Sequence, residues 1–223
     1  MPLFYQHNIN EQATLAVWHI TETEDFFLEK IHLNKTINHP HKKLQHLAGR
    51  YLLKILHPEF PLHLIEIAES NKPLLADGSF HFSISHCGDF AAAIISESES
   101  AGIDVELVTP KIKLIQHKFL SNEEINVVEN VYQLNNNIPT AIGITHDSIN
   151  LLTLCWSCKE AIYKWHGKGG VDFKDHIHIT NITVTGKRKF IECTFTKHIP
   201  KKLMIHFNFF EDLCLAWVVD KNV

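Results

Sequence analysis

Two long amphipathic helices, each followed by a series of short strand-like segments, limit the folds that this chain can adopt. The first helical pattern covers 41–57 and stops before a proline, and the second covers 151–167 and stops at a glycine. Alternating apolar segments follow each helix, at 64–106 and at 176–219. This order predicts an α+β fold of two α/β halves, with antiparallel sheets and one long helix in each half.

An ungapped comparison of two strand-rich segments suggests an internal duplication. HFSISHCGDFAAAII (81–95) lies over HFNFFEDLCLAWVVD (206–220) with the His-Phe pairs in register. Short matches also arise by chance, so coincidence stays the alternative. A duplication predicts two similar halves, 1–107 and 108–223, related by a pseudo-twofold axis, with a ligand site at their seam. Such an arrangement favours a monomer.

Shorter patterns complete the outline of the fold. They predict a strand at 14–20, a helix at 25–33, a helix at 121–134 and a loop at 135–149. At the start of the third of these, Ser121 and Glu124 have the spacing of a capping box.

The composition restricts where such a protein works and what it binds. Of its 223 residues, 45% are apolar and 21% are charged, which is ordinary for a globular protein with a sizeable core. The sequence has no signal-peptide pattern and no apolar stretch of about 18 residues, the length that spans a membrane. We therefore expect a soluble, cytoplasmic protein without a membrane partner. The net charge of −4 argues against nucleic-acid binding, which usually needs a basic surplus.

Asp104 and Glu106 are the first candidates for a metal site. One residue separates them in the strand-like segment AGIDVEL, so their side chains point to the same face. Two carboxylates this close repel each other unless a cation lies between them, and Mg²⁺ prefers oxygen ligands. The alternative is an edge strand with a solvated acidic face, and the pair alone leaves both interpretations open.

Glu160 and Lys164 share one face of the helix WSCKEAIYKWHG because they are four residues apart. Trp156 lies one turn earlier on the same face, and Lys159 adds positive charge at its flank. A surface ion pair, which contributes little to stability, is the alternative interpretation. The helix adds a third carboxylate and two cations to the candidate residues.

Two turns in the first half have residues suited to binding an anion. Lys72 lies in NKPLL, on a turn fixed by a proline. The segment SISHCGD ends a strand with Ser85, His86 and Gly88, whose hydroxyl, imidazole and backbone N–H groups could contact phosphate oxygens. A buried or capping His86 is the alternative.

Five segments resemble, in order and spacing, the 4'-phosphopantetheinyl transferase superfamily in its longer, surfactin-synthetase-activating form. They are NKPLL, FSISHCGDFAAA, GIDVE, FLSNEE and WSCKEAIYKWHGKG, and the resemblance spans roughly residues 44–175. GIDVE and the pattern W-x-x-K-E-A-x-x-K are the most specific of them. The chain after residue 175 is similar to the family only in its strand-rich character.

The resemblance implies a metal site and a coenzyme A site. Members of the family bind Mg²⁺, with Mn²⁺ as an alternative, through three acidic residues that are here Asp104, Glu106 and Glu160. The residues implied to lie by the coenzyme A phosphates are Lys72, Ser85, His86, Lys159 and Lys164. Glu124 also matches a family position.

One position departs from the family pattern. Where surfactin-type members have a basic residue for the 3'-phosphate of coenzyme A, this chain has Gln45. Lys42, Lys43 and Arg50 are the substitutes, and we choose Arg50. The alternative is that Arg50 faces solvent or pairs with an acid.

The resemblance also implies a reaction, the transfer of the 4'-phosphopantetheine group of coenzyme A to a serine of an acyl or peptidyl carrier protein. Glu160, Asp104 and Lys164 are then the candidate catalytic residues, since the main obstacle is the charge of the diphosphate. Either Glu160 or a metal-bound water would accept the proton of the attacking serine. Two rival classes use the same charges: a coenzyme A or nucleotide-binding protein without catalysis, and a metal-dependent hydrolase of diphosphate bonds.

The segment TPKIKLIQHKFL (109–120) is the predicted docking surface for the carrier. Lys111, Lys113 and Lys118 alternate with apolar side chains there, and carriers of this kind are acidic around the accepting serine. The alternative is an amphipathic helix that packs on the protein's own core.

Overall fold

The structure is a computed structural model that describes residues 3–32, 37–135, 148–185 and 188–221. The strands in these ranges are β1 (Leu3–Asn8), β2 (Ala13–His19), β3 (Ile65–Ile67), β4 (Pro73–Leu75), β5 (His81–Cys87), β6 (Phe90–Ser96), β7 (Ser100–Leu107), β8 (Ile177–Thr185), β9 (Arg188–Phe195), β10 (Lys201–Phe210) and β11 (Leu213–Asp220). The helices are α1 (Glu24–Leu28), α2 (Pro40–Leu56), α3 (Ile112–Phe119), α4 (Asn122–Asn135) and α5 (Ser148–His166). Most of the predicted loop at 135–149 lies outside the described residues.

The strands form two larger sheets and one short hairpin, and every pairing is antiparallel. The N-terminal sheet has the order β1-β2-β6-β5, and the C-terminal sheet has the order β7-β11-β10-β9-β8. The hairpin consists of β3 and β4. The predicted α+β class with antiparallel sheets is confirmed.

Three apolar clusters hold the layers of the molecule together. In one, Leu47 and Leu52 of α2 pack on Ala93 of the N-terminal sheet, and in a second, α5 packs on the C-terminal sheet. The third lies between the two sheets, where Ile94 meets Ile103. The layers therefore follow the order helix, sheet, sheet, helix. In the described ranges, no helix combines the length and the apolar character needed to cross a bilayer.

Strand β7 belongs to the C-terminal sheet. It pairs with β11 along its whole length, from Ser100 opposite Asp220 to Leu107 opposite Leu213. The predicted boundary between residues 107 and 108 follows the order of the chain, so it assigns this strand to the first half. Asp104 and Glu106 belong instead to the C-terminal sheet, whose other strands come later in the sequence.

The two hairpins compared in the sequence share a connection but not the predicted register. Gly88 and Asp89 join β5 to β6, and Glu211 and Asp212 join β10 to β11. The first residue of each turn has a positive φ, 53° at Gly88 and 54° at Glu211. Matching the turns shifts the ungapped comparison by two residues, so the two His-Phe pairs do not occupy equivalent positions. The pseudo-twofold axis stays a prediction.

Gly102 determines how closely α5 approaches β7. A Cβ atom at this position would lie 2.0 Å from the backbone oxygen of Ala161 and 2.6 Å from the backbone nitrogen of Trp165. Both atoms belong to α5, so any side chain larger than hydrogen would push the helix away from the strand. This close contact brings the helix face with Glu160 and Lys164 against the acidic strand.

Side chains of β5 close the free edge of β7. The backbone N–H groups of Ile103 and Val105 donate to Ser83 Oγ at 3.4 Å and Ser85 Oγ at 3.3 Å. The N–H of Leu107 donates to Cys87 Sγ at 3.4 Å. The two sheets are therefore joined at this seam by side-chain acceptors at alternate positions of one strand.

Candidate active site

Asp104 lies at the centre of the candidate site, on the face of β7 toward α5. Its side chain is 3% exposed, and its Oδ1 accepts hydrogen bonds from Ser85 Oγ at 2.9 Å and Lys164 Nζ at 2.6 Å. Its Oδ2 is buried and has no hydrogen-bond partner among the described residues. A buried oxygen without a partner is costly, so this atom offers a position for a cation.

Glu106 lies two residues further along the same face of β7. Trp156 Nε1 donates to its Oε1 at 3.3 Å, and the Cys87 thiol also hydrogen-bonds to this carboxylate. Burial raises the pKa of Glu106, and the negative charge of Asp104 raises it further. The side chain is held in place by donors, and the positive charge of Lys164 offsets the rise of its pKa only in part.

Glu160 reaches the acidic strand from α5. Its pKa is raised to about 7, first by burial and then by the charge of Asp104, with Lys164 opposing and Glu106 adding to the rise. The charges of the three carboxylates therefore affect one another. The face of α5 that carries Glu160 is turned toward β7, as the spacing in the sequence predicts.

The three carboxylates suit a divalent cation in chemistry and charge. Within the described residues, no three acidic, histidine or cysteine side chains stand in an arrangement that could hold a metal ion as they are. The ammonium of Lys164 lies against Asp104 instead. Asp104 Oδ2 nevertheless lacks a partner among the described residues, and the pKa values of Glu106 and Glu160 are raised by burial and then by the charge of Asp104, both of which a bound cation would offset. An all-oxygen donor set of this kind is one that Mg²⁺ prefers.

Ser85 is fully occupied by its neighbours. Its hydroxyl donates to Asp104 and accepts from Lys164 Nζ at 2.8 Å and from the N–H of Val105 at 3.3 Å. A hydroxyl has one donor and two acceptor lone pairs, so all three are used. In this structure Ser85 positions Asp104 and Lys164, and a phosphate contact from it would require the loss of one of these bonds.

Lys72 lies at the C-terminal end of α5. Its Nζ donates to the backbone oxygen of Lys164, and Ser70 Oγ donates to the backbone oxygen of Gly167 at 2.6 Å. Burial lowers the pKa of Lys72 to about 8. Lys72 and Lys164 line the same cavity of about 360 Å³, together with Tyr163. The structure therefore brings the predicted Lys72 and Lys164 to one cavity beside the carboxylates.

His86 and Arg50 are linked at the other side of the site. The ring of His86 lies 5.6 Å from the ring of His46, and Arg50 Nη1 is 3.2 Å from His46 Nδ1. Partial removal from water lowers the pKa values of both His86 and Arg50. Gln45 is buried, and its Nε2 donates to the backbone oxygen of Gly88 at 2.8 Å.

Lys159 does not lie in the candidate site around Asp104 and Lys164, referred to below as the cleft. This differs from what the family resemblance implies. Its side chain is 0% exposed, and its Nζ lies 2.6 Å from Glu124 Oε1. The same ammonium donates to the backbone oxygens of Phe119, Phe173 and Ile177 at 2.7–2.8 Å. Its donors are thus used inside the protein, so contact with coenzyme A phosphates does not fit this structure.

Glu124 completes that buried pair. Its Oε2 accepts from the N–H of Ser121 at 2.8 Å, and its own N–H donates to Ser121 Oγ at 3.3 Å, so the predicted capping box is confirmed. Its Oε1 also accepts from the N–H of Ile179 at 2.8 Å. Glu124 and Lys159 therefore join α4, α5 and β8.

The predicted docking segment forms α3 with two different faces. Ile112 and Phe119 are buried in the core, so neither can provide the apolar contact expected of them. Lys111, Lys113 and Lys118 are exposed, and Leu114 is 74% exposed among them. Only this outer face is open to a partner.

Sequence reasoning missed the residues that hold Glu106. Trp156 was placed on the same helix face as Glu160 without a role, and Cys87 was not considered a contributor to the site. The signal for Cys87 is its period of two with Ser83 and Ser85, which puts all three on the side of β5 toward β7.

The sequence of this chain is similar to those of known proteins. A family model described as the 4'-phosphopantetheinyl transferase superfamily matches residues 100–218. A Haemophilus influenzae protein named "Putative 4'-phosphopantetheinyl transferase" is 32% identical over 149 residues, which cover 63% of this chain and 56% of that protein. The 4'-phosphopantetheinyl transferase AcpT of Escherichia coli K12 is 30% identical over 122 residues, which cover 54% of this chain and 56% of the relative. The similarity thus spans little more than half the length of these relatives.

Proposed function

The chain belongs to the 4'-phosphopantetheinyl transferase superfamily, and from this membership we propose that it transfers the 4'-phosphopantetheine group of coenzyme A to a serine of an acyl or peptidyl carrier protein. Adenosine 3',5'-bisphosphate is the other product. The observation that carries the proposal is the group formed by Asp104, Glu106 and Glu160 beside Lys164 at the seam of the two sheets. We assign the chain to the longer, surfactin-synthetase-activating type on the segments quoted above. The cytoplasmic location and monomeric state stay predictions.

Asp104, Glu106 and Glu160 would hold Mg²⁺ or Mn²⁺. The ion, when bound, supplies positive charge against the diphosphate of coenzyme A. The buried Oδ2 of Asp104 supports this assignment, because it lacks a partner among the described residues. Lys164 shows that a cation is accommodated next to Asp104.

Lys164 and Lys72 would bind the diphosphate from the cavity that they share. The pKa of about 8 leaves most Lys72 side chains protonated at pH 7, and an adjacent phosphate would favour the charged form further. Both ammonium groups would then stabilise the negative charge that develops on the departing bisphosphate. His86 and Arg50, which are linked through His46, are placed to bind the 3'-phosphate.

Glu160 would accept the proton of the carrier serine. The serine oxygen forms a bond to the β-phosphorus, the bond from that phosphorus to the bridging oxygen breaks, and the bisphosphate leaves with the electron pair. In the metal-free protein the pKa of Glu160 is about 7, so this carboxylate exchanges a proton near neutral pH, and a bound cation would lower that pKa.

An assay of carrier mass tests the reaction. The protein is incubated with coenzyme A, Mg²⁺ and an apo carrier protein, and a gain equal to phosphopantetheine on the carrier supports the transferase. Release of the bisphosphate without carrier modification would instead indicate a hydrolase, and neither product would indicate a binding protein. Omission of Mg²⁺, with EDTA present, tests the metal separately.

We propose the outer face of α3 as the carrier-docking surface. The exposed lysines at 111, 113 and 118 would steer an acidic carrier, and Leu114 would supply an apolar contact. Lys111→Glu with Lys113→Glu should raise the KM for the carrier about 3- to 10-fold, without changing the KM for coenzyme A. A control with Lys202→Glu and Lys221→Glu makes the same charge change far from α3. Equal carrier KM values for the two variants would refute the docking surface.

A further inference from the structure

Five aromatic rings form a continuous series on the face of the C-terminal sheet that is turned away from α5. Tyr5 and His7 lie on β1, Phe190 on β9, His206 on β10 and Trp217 on β11. Tyr5 stacks with His7 at 6.3 Å, and His7 meets the edge of Trp217 at 5.8 Å. Trp217 stacks with His206 at 5.9 Å and 24°, and His206 meets Phe190 at 6.4 Å.

The rings line a cavity of about 480 Å³, larger than the one beside Lys72. The cavity exists because the N-terminal sheet covers only part of its partner. Its inner strands bury Trp217 with Ile103 between the sheets, whereas its edge strand β1 lies over β10, where Asn208 Nδ2 donates to Tyr5 Oη at 3.0 Å. Beyond that contact, β9 and β10 extend past the covering sheet. The volume is in the range of small-molecule pockets, roughly 300–1,000 Å³.

The charge around this cavity is opposite to that of the whole chain. Arg188 and Lys189 line it, and none of its described lining residues is an acid, although the chain has a net charge of −4. Burial and the nearby His7 lower the pKa of His206, which favours the neutral ring beside Trp217. Aromatic surface and fixed positive charge thus occur side by side.

We propose that this cavity, the aromatic cavity, is a second binding site that takes a nucleoside monophosphate. A planar base fits against the exposed ring of His206, which packs on the buried Trp217, since base–aromatic stacking tolerates any base. The phosphate lies toward Arg188, which shares the face of Phe190 on β9, and arginine is well suited to bidentate phosphate contacts. The site lies on the opposite face of the C-terminal sheet from Asp104, so the inference goes beyond the proposed transferase activity and does not depend on it.

The test uses AMP as the probe and follows tryptophan indole N–H signals by NMR, assigned by through-bond experiments. Trp217 reports on the aromatic cavity, and Trp156, which donates to Glu106, reports on the candidate active site. AMP should shift the Trp217 signal in a saturable manner. Adenosine and inorganic phosphate, tested separately, should each bind at least about tenfold more weakly because each lacks one half of the interaction.

Two charge-reversal variants make the test specific. Arg188→Glu should weaken AMP binding about tenfold or more, because an attractive contact becomes repulsive. Lys202→Glu makes the same charge change outside the cavity and should leave the affinity unchanged. Both residues are on exposed strand positions, so both variants should fold. The proposal is overturned if AMP shifts Trp156 but not Trp217, if adenosine or phosphate alone binds as well as AMP, or if the two variants weaken binding equally.

Discussion

Each of the two lysines of helix α5 forms an ion pair with a carboxylate from another element. The two pairs have the same N–O distance, but one is fully buried and the other is partly open to solvent. Lys159 and Glu124 lie 2.6 Å apart with 0% and 2% of their side chains exposed. Lys164 and Asp104 also lie 2.6 Å apart, with 22% and 3% exposed. In the first pair every charged group is saturated with hydrogen bonds, whereas in the second Asp104 Oδ2 has no partner in the described chain.

The length of an ion pair therefore does not show whether its residues have a structural or a functional role. What distinguishes them is whether the surrounding groups leave charge uncompensated. The buried pair is complete, so loss of either partner would leave a buried charge uncompensated. The cleft pair has two further carboxylates near it, whose pKa values are raised first by burial and then by the charge of Asp104. A site for a cationic ligand requires this second condition.

The largest expected effect is on the complete pair. Lys159→Met leaves the buried Glu124 carboxylate without its counter-charge and should lower the free energy of unfolding by about 3–5 kcal/mol. Chemical denaturation measures this loss. Combining Lys159→Met with Glu124→Gln removes the uncompensated charge and should restore part of the stability. A variant of unchanged stability that has lost transferase activity would instead return Lys159 to the coenzyme A site.

The cleft pair should respond in the opposite way. Lys164→Met should reduce kcat/KM about 10²- to 10³-fold, because a positive charge toward the diphosphate is lost. Its stability loss should be smaller than that of Lys159→Met and should be recovered by Mg²⁺, since the metal compensates Asp104. Mg²⁺ should not rescue Lys159→Met, which serves as the matched control. Equal rescue of both variants would remove the distinction between the pairs.

Gly102→Ala tests whether both pairs depend on the position of α5. The added methyl group meets helix backbone, so we expect a loss of about 1–3 kcal/mol in stability and reduced activity in the folded fraction. Ser100→Ala, a substitution at the start of the same strand, is the control. Wild-type stability for Gly102→Ala would show that the close contact is not required.

The smallest effect concerns the repulsion among the carboxylates. The folded-state pKa of Glu160 is about 7, above its usual value of 4.5, so ionising this group destabilises the fold as pH rises between these values. In EDTA at pH 8, Glu160→Gln should therefore stabilise the protein by about 1–2 kcal/mol. At pH 5 the folded-state Glu160 is largely protonated and as neutral as the glutamine, so the difference should shrink. Denaturation curves at the two pH values measure it, and an equal difference at both would contradict the assignment.

The long helices could be predicted from the sequence because their apolar periodicity is strong. The pattern at 41–57 became α2 and that at 151–167 became α5, each within a few residues. The helix predicted at 25–33 is shorter, Glu24–Leu28, and β1 was not predicted at all. Strand β1 is a mostly exposed edge strand, so its burial pattern gives little alternation to detect.

The candidate site could be predicted only where it depends on local spacing. The period of two places Asp104 and Glu106 on one face, and the helical period places Glu160 with Lys164. The burial of Lys159, which contradicts its predicted place beside coenzyme A, also has a local signal in the sequence. Cys155 and Ile162, about one helical turn away on either side, are both buried. Its partner Glu124 lies in another helix, so no local pattern could identify the pair.

Strand β7 would be an open edge if β5 presented only apolar side chains. Unpaired amides at a sheet edge recruit strands from other molecules, and natural proteins block such edges in several ways. Here three short acceptors, Ser83, Ser85 and Cys87, occupy the amides that an incoming strand would need. Alanine at these three positions should therefore favour self-association, seen as larger particles in light scattering, so the same side chains that arrange the cleft also protect the protein from aggregation.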